Sequence, residues 1–156
     1  MKRKTQLLII SALLLIGSAS GLAQSPNQKQ IEVFGQKINY VETGTGSHVI
    51  LLHGLADDWS VWEQTIPALK TKHHVWAIDQ IGFGQSDKPF INYRVAVFVE
   101  FLDAFMKKAG IEKATLVGNS LGGWVAAAFG RQAFPKCGAK NSCKLPSRRY
   151  RRIERQ

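Results

Sequence analysis

The chain has 156 residues, with 21 Lys and Arg against 11 Asp and Glu, a formal net charge of +10. That length suits one small domain, and no internal repeat is visible. The two cysteines have no histidine or further cysteine nearby, so a metal site is unsupported and a local disulfide would brace nothing. The basic excess lies at the ends, in Lys2 to Lys4 and in residues 134–156, which hold 8 basic residues against Glu154, while residues 5–133 balance at 10 of each sign. The charge therefore describes nothing about the middle of the chain.

Met1-Lys-Arg-Lys4 and the apolar run Leu7 to Ile16 have the form of a secretory signal, with Gly21 and Ala23 as the small residues before a cut at Gln24. Ser18 and Ser20 offer an alternative cut. Residues 1–23 are expected to direct export, to a periplasm or out of the cell. The apolar run is short for a bilayer span, so an uncleaved membrane anchor is the lesser reading. No cysteine follows it, which argues against lipid attachment. A domain is expected over residues 24–135, opened by the polar linker Ser25 to Gln30.

Ile31 to Thr43 alternates around Gly35-Gln36 as a hairpin, and Gly44-Thr-Gly46 turns into a first buried parallel strand, His48-Val-Ile-Leu-Leu-His-Gly54. Ser60-Val-Trp-Glu63 reads as a capping box that opens a helix. Val75 to Asp79 is a further strand, closed by the loop Gln80-Ile-Gly-Phe-Gly-Gln-Ser-Asp87. The helix after Asn92 carries Val95, Phe98, Val99, Leu102, Phe105 and Met106 on one face, and Lys107, Lys108 and Gly110 end it. That stripe is core, and Trp59, Trp62 and Trp76 read as packing residues. Ala114 to Val117 is a short buried strand, and Leu121 to Ala133 is a helix rich in small residues.

Between these last two elements lies Gly118-Asn-Ser-Leu-Gly-Gly123, with Ser120 flanked by Gly118 and Gly122. The chain must reverse from strand to helix within about three residues, and a Cβ at either glycine would clash in so sharp a turn. The turn lifts the Ser120 hydroxyl above the strand ends, beside the first N–H groups of the helix, where negative charge is favoured. Together with His53-Gly54, and with Asp79, Gly82, Gly84 and Ser86 after the next strand, this segment resembles the α/β-hydrolase fold family over residues 31–133. The resemblance implies an α/β domain with an antiparallel hairpin, parallel strands and flanking helices. It implies Ser120 as nucleophile and the backbone N–H groups of Leu55 and Leu121 as oxyanion donors, with His53, Gly54, Gly118 and Gly122 in support. No cofactor or metal ion is expected.

Within that family a serine argues against the dehalogenase and epoxide-hydrolase branches, which use aspartate at this position. The Gly-Asn-Ser form is similar to esterases and to carbon–carbon bond hydrolases. The oxyanion loop lacks the glycine-proline signature of the latter, so acyl-ester cleavage of a small-molecule substrate leads. The family order is serine, acid, histidine, yet His48, His53, His73 and His74 all precede Ser120, and the only acid after it is Glu154. The triad acid and histidine are therefore absent from this sequence, and an inactive chain is expected; only His53 lies near the strand tops as a substitute base.

From Lys136 to Gln156 periodicity and apolar runs cease, and Cys137 and Cys143 fall here. This stretch is expected to be a disordered basic tail left by truncation or a shifted reading frame. The remaining C-terminal strands of the fold would then be missing and the Ala114 to Val117 strand would be a bare edge. A non-catalytic binding protein, using the tail on nucleic acid or anionic lipid, is the competing reading and ranks lower.

Overall fold

The computed structural model describes residues 27–133. The expected signal segment, the start of the linker, the basic tail and both cysteines lie outside these residues. Five strands form one mixed sheet: β1 (Gln28–Val33), β2 (Gln36–Thr43), β3 (Ser47–Leu52), β4 (His73–Ile78) and β5 (Ala114–Gly118), in the order β1-β2-β4-β3-β5. The β1–β2 and β2–β4 pairs are antiparallel, and β3 lies parallel between β4 and β5. This is the expected α/β architecture, hairpin first and parallel strands after it. Among the described residues β5 ends the sheet.

Alternation along the strands builds a core on each face. Ile50, Leu52, Trp76 and Ile78 point to one side, where they meet Phe98, Val99, Leu102, Phe105 and Met106 of α2 (Val95–Lys108) and Val125 and Phe129 of α3 (Leu121–Ala133). Val49, Leu51, Val75 and Ala77 point to the other, against Trp59 and Ile66. The apolar stripe of α2 is thus buried as its spacing predicts, and Trp59 and Trp76 are core residues. No helix among the described residues is long and apolar enough to cross a membrane.

Three local expectations need correction. The hairpin turns at Phe34-Gly35, not Gly35-Gln36. Both turn residues have positive φ, 52° and 73°, the left-handed pair that matches the twist of a two-residue hairpin. The pairing Gln28↔Val41 also carries β1 back into the stretch read as linker. The residues around Ser60 form a single 3-10 turn, Trp59–Trp62, before a short helix α1 (Ile66–Leu69). Its cap is Asp58, whose carboxylate accepts from the Ser60 N–H at 2.8 Å, so Ser60 sits inside the turn that it was expected to open. Hydrogen bonds from Ser60, through its side chain and its backbone N–H, hold the Asp58 carboxyl below the usual range against the effect of burial.

The topology fixes where a site can lie. From β3 the chain crosses one face, through α1, to β4. It then returns across the other face, through α2, to β5 on the far side of β3. Crossovers that leave a strand in opposite directions open a crevice at the carboxyl ends of the parallel strands. The loops after β3 and β5, with His53-Gly54 and Ser120, meet there.

Candidate active site

The turn after β5 is held by backbone contacts that tolerate only hydrogen as a side chain. A Cβ on Gly122 would overlap the Leu52 carbonyl, and one on Gly118 would overlap the Gly122 backbone. α3 thus starts in direct contact with the end of β3. The Asn119 N–H donates to the Leu52 carbonyl at 3.0 Å and the Gly122 N–H to the His53 carbonyl at 3.1 Å. Ser120, at the apex, is an exposed non-glycine residue with φ of 48°, a left-handed conformation that L-residues adopt at a cost of about 1 kcal/mol or more. Strain of this kind persists where surrounding contacts impose it, and here they are the two glycine contacts.

Gly54 lies against this apex. A methyl group there would sit 3.5 Å from Ser120 Cβ, 3.7 Å from Asn119 Nδ2 and 3.0 Å from Asp57 Oδ2. Leu55 follows, with its side chain exposed, and Ala56 after it takes φ of 62°. Leu121 is the first residue of α3, so its N–H has no acceptor within the helix. Ser120, Gly54, Gly118, Gly122 and the backbone of Leu55 and Leu121 therefore share one end of the sheet. Asp57, whose carboxylate borders the same spot, was not singled out in the sequence. Its only sequence signal is an acid pair in the loop after a strand-ending glycine.

His53 is buried beneath this loop, and neither ring nitrogen is free. Nε2 accepts from the Gln80 N–H at 2.9 Å, so Nδ1 carries the hydrogen and donates to the Gly54 carbonyl at 2.7 Å. The Gln80 side-chain amide donates to the His53 carbonyl at 2.8 Å. This ring is a strut between two loops, and its hydrogen bonds leave no lone pair for Ser120. The idea of His53 as substitute base has no geometric support.

A second buried hub, whose bonding the sequence did not reveal, is Asp79 at the end of β4. One carboxylate oxygen accepts from the Trp59 N–H at 2.7 Å. The other accepts from the Gln85 N–H at 2.8 Å and from Asn39 Nδ2 at 2.8 Å. Gly84 must be glycine because a Cβ would overlap this carboxylate. The Ser86 hydroxyl donates to the Asp79 carbonyl at 2.6 Å and accepts from the Asn39 N–H at 2.8 Å. One carboxylate thus ties the loop after β3, the loop after β4 and the hairpin together, which explains why Asp79, Gly84 and Ser86 occur as a set. Among the described residues no group of three or more His, Cys, Asp or Glu could hold a metal ion.

The family described as the alpha/beta hydrolase fold matches residues 47–139. A haloalkane dehalogenase of Mesorhizobium japonicum is 36% identical over 102 residues, covering 65% of this chain and 33% of the dehalogenase. A 2-hydroxy-6-oxo-6-(2'-aminophenyl)hexa-2,4-dienoic acid hydrolase of Metapseudomonas resinovorans is 32% identical over 117 residues, covering 70% of this chain and 40% of the hydrolase. The crystal structure of a membrane phospholipase A, a bacterial virulence factor, matches with a TM-score of 0.67 at 31% identity, covering 68% of this chain and 35% of the phospholipase. The chain spans about a third of the length of the curated relatives it matches.

Proposed function

The chain belongs to the alpha/beta hydrolase fold family, and on that premise we propose that Ser120 is a nucleophile for esterase-like cleavage of small acyl esters. The observation that supports this best is the strained, exposed Ser120 at φ 48°, beside Gly54 and at the start of α3. Its Oγ would add to the ester carbonyl carbon, and the carbonyl oxygen would become an oxyanion facing the N–H groups of Leu55 and Leu121. Collapse would expel the alcohol and leave an acyl-serine, which water then hydrolyses.

Both steps need a base oriented by a carboxylate: in the first it takes the serine proton and gives it to the leaving alcohol, in the second it takes a proton from water and gives it back to the serine oxygen. The last histidine in the sequence is His74, at the far end of β4, and His53 is committed to Gln80 and Gly54. In our reading, therefore, these residues supply the nucleophile and oxyanion loop but not the base and its acid, and the chain by itself turns over no ester. Carbon–carbon bond hydrolysis is the second reading, favoured by the Metapseudomonas relative. Dehalogenation is not proposed, because that branch requires a carboxylate where Ser120 stands. Residues 1–23 are proposed as an export signal.

A chimera tests whether Ser120 is a competent nucleophile. Residues 27–133 would replace the matching part of the Metapseudomonas hydrolase, whose remaining sequence would supply whatever follows β5 and α3. The expected result is one phosphonate label per chain, lost on Ser120→Ala. A folded chimera that takes no label would overturn the assignment.

A further inference from the structure

At the pole opposite Ser120, where β3 and β4 begin, four strands contribute to one polar cluster on the face covered by α2. The Trp76 indole N–H donates to His48 Nδ1 at 3.0 Å, joining β4 to β3. The His74 ring lies 4.7 Å from the Trp76 ring and 5.0 Å from the His48 ring, centroid to centroid. His74 Nε2 donates to Glu42 Oε1 at 2.8 Å, and Lys29 Nζ donates to Glu42 Oε2 at 2.7 Å, so the chain of contacts runs on through β2 to β1. Tyr40 stacks on Trp76 from β2, and α2 brings Phe105 against both. The residue opposite His48 on β5 is Ala114. Among the described residues, the charged groups that act on His48 are His74 and Glu42, and Lys29 and Tyr40 in turn interact with Glu42 and with one another.

We propose that His48, His74, Trp76 and Glu42 form an acid-sensitive clamp that joins β4 to β3 and to the β1–β2 hairpin when His48 is neutral, and loosens when His48 takes up a proton. The two imidazoles are not equivalent. A proton on His74 faces the Glu42 carboxylate. A proton on His48 at Nδ1 takes the lone pair that binds the Trp76 N–H, leaves that buried donor without an acceptor, and faces the His74 ring at 5.0 Å. Burial first, and then the charge of His74, hold the His48 imidazole below its usual range, with Glu42 opposing. A histidine depressed in the folded state stabilises the fold fully above its unfolded value of about 6.5. It loses that contribution as pH falls through the folded value, so the response lies below about 6.5. Glu42 stays ionised across that window: burial raises its carboxyl, but the hydrogen bonds from Lys29 and His74 outweigh burial and bring it below the usual range.

The test compares the chain with His48→Asn in urea unfolding at pH 7.5 and pH 5. The asparagine oxygen replaces Nδ1 as acceptor and does not titrate. One proton refused by the fold costs up to about tenfold in folding equilibrium constant per pH unit. The wild-type constant should therefore fall further than that of His48→Asn over this range, by at most about tenfold for each pH unit below about 6.5. Equal falls would overturn the clamp. Should His48→Asn fail to fold, the Trp76 indole N–H resonance of the wild-type chain, assigned through Trp76→Phe, decides. It should shift and exchange faster with a midpoint below 6.5, and a resonance unmoved down to pH 5 would overturn the proposal.

Discussion

Replacing Asp79 by alanine should destabilise the domain by about 3–5 kcal/mol, a large share of the about 5–15 kcal/mol that holds a typical domain together. The buried carboxylate accepts from the Trp59 and Gln85 N–H groups and from Asn39 Nδ2. Its removal strands all three donors, at about 1–3 kcal/mol for each that finds no water. Asp79→Asn should cost less, about 2 kcal/mol, because the amide keeps the volume and one acceptor oxygen but turns its NH₂ toward donors. Chemical denaturation gives the totals, and hydrogen exchange locates them. The Trp59 and Gln85 amides should lose protection in both variants before the strand amides of β3 do. Uniform loss across the domain would mean that Asp79 acts through bulk stability and not as a loop tie.

Gly122→Ala and Gly130→Ala, the same substitution eight residues apart in α3, should act with opposite signs. At Gly122 the new methyl overlaps the Leu52 carbonyl, a backbone group that can yield only if α3 moves away from β3. The expected cost is about 3 kcal/mol or more, beyond ordinary overpacking. At Gly130 nothing among the described residues lies within 4 Å of the added methyl, so alanine should stabilise by about 0.5–1 kcal/mol through its higher helix propensity. Thermal unfolding of the two variants reads both signs. A tolerated alanine at Gly122 would show that the turn around Ser120 is not held by this contact.

The sequence made some of this legible and hid the rest for physical reasons. Ser120 between glycines announced the turn because the constraint is local: strand, reversal and helix occupy about twenty consecutive residues. The stripe Phe98 to Met106 was equally plain, since a 3.6-residue period is written along one segment. The 3-10 turn is not legible in the sequence because Asp58 and Ser60 both carry oxygens able to cap, and the choice depends on where Asp79 anchors the Trp59 N–H. Asp79 itself looked like one member of a loop motif. Its partners Asn39, Trp59 and Gln85 become neighbours only when three segments meet. The His48–Trp76 bond is hidden in the same way, since it spans 28 residues and depends on the register of β3 against β4. His53 stood out as a residue beside the oxyanion loop. That both its nitrogens are already bonded emerges only with Gln80 in place.

The most direct measurement of the central claim is hydrolysis of a p-nitrophenyl ester by this chain and by its Ser120→Ala variant. Removal of the histidine base alone costs about 10⁶ in kcat in a serine protease, and oxyanion donors and binding leave about 10³–10⁴ over water. Nucleophile without base should thus give equal rates for the two proteins, close to background. Many turnovers by the unaltered chain, abolished by Ser120→Ala, would mean that a base already stands among these residues, and the account of an unactivated nucleophile would be wrong.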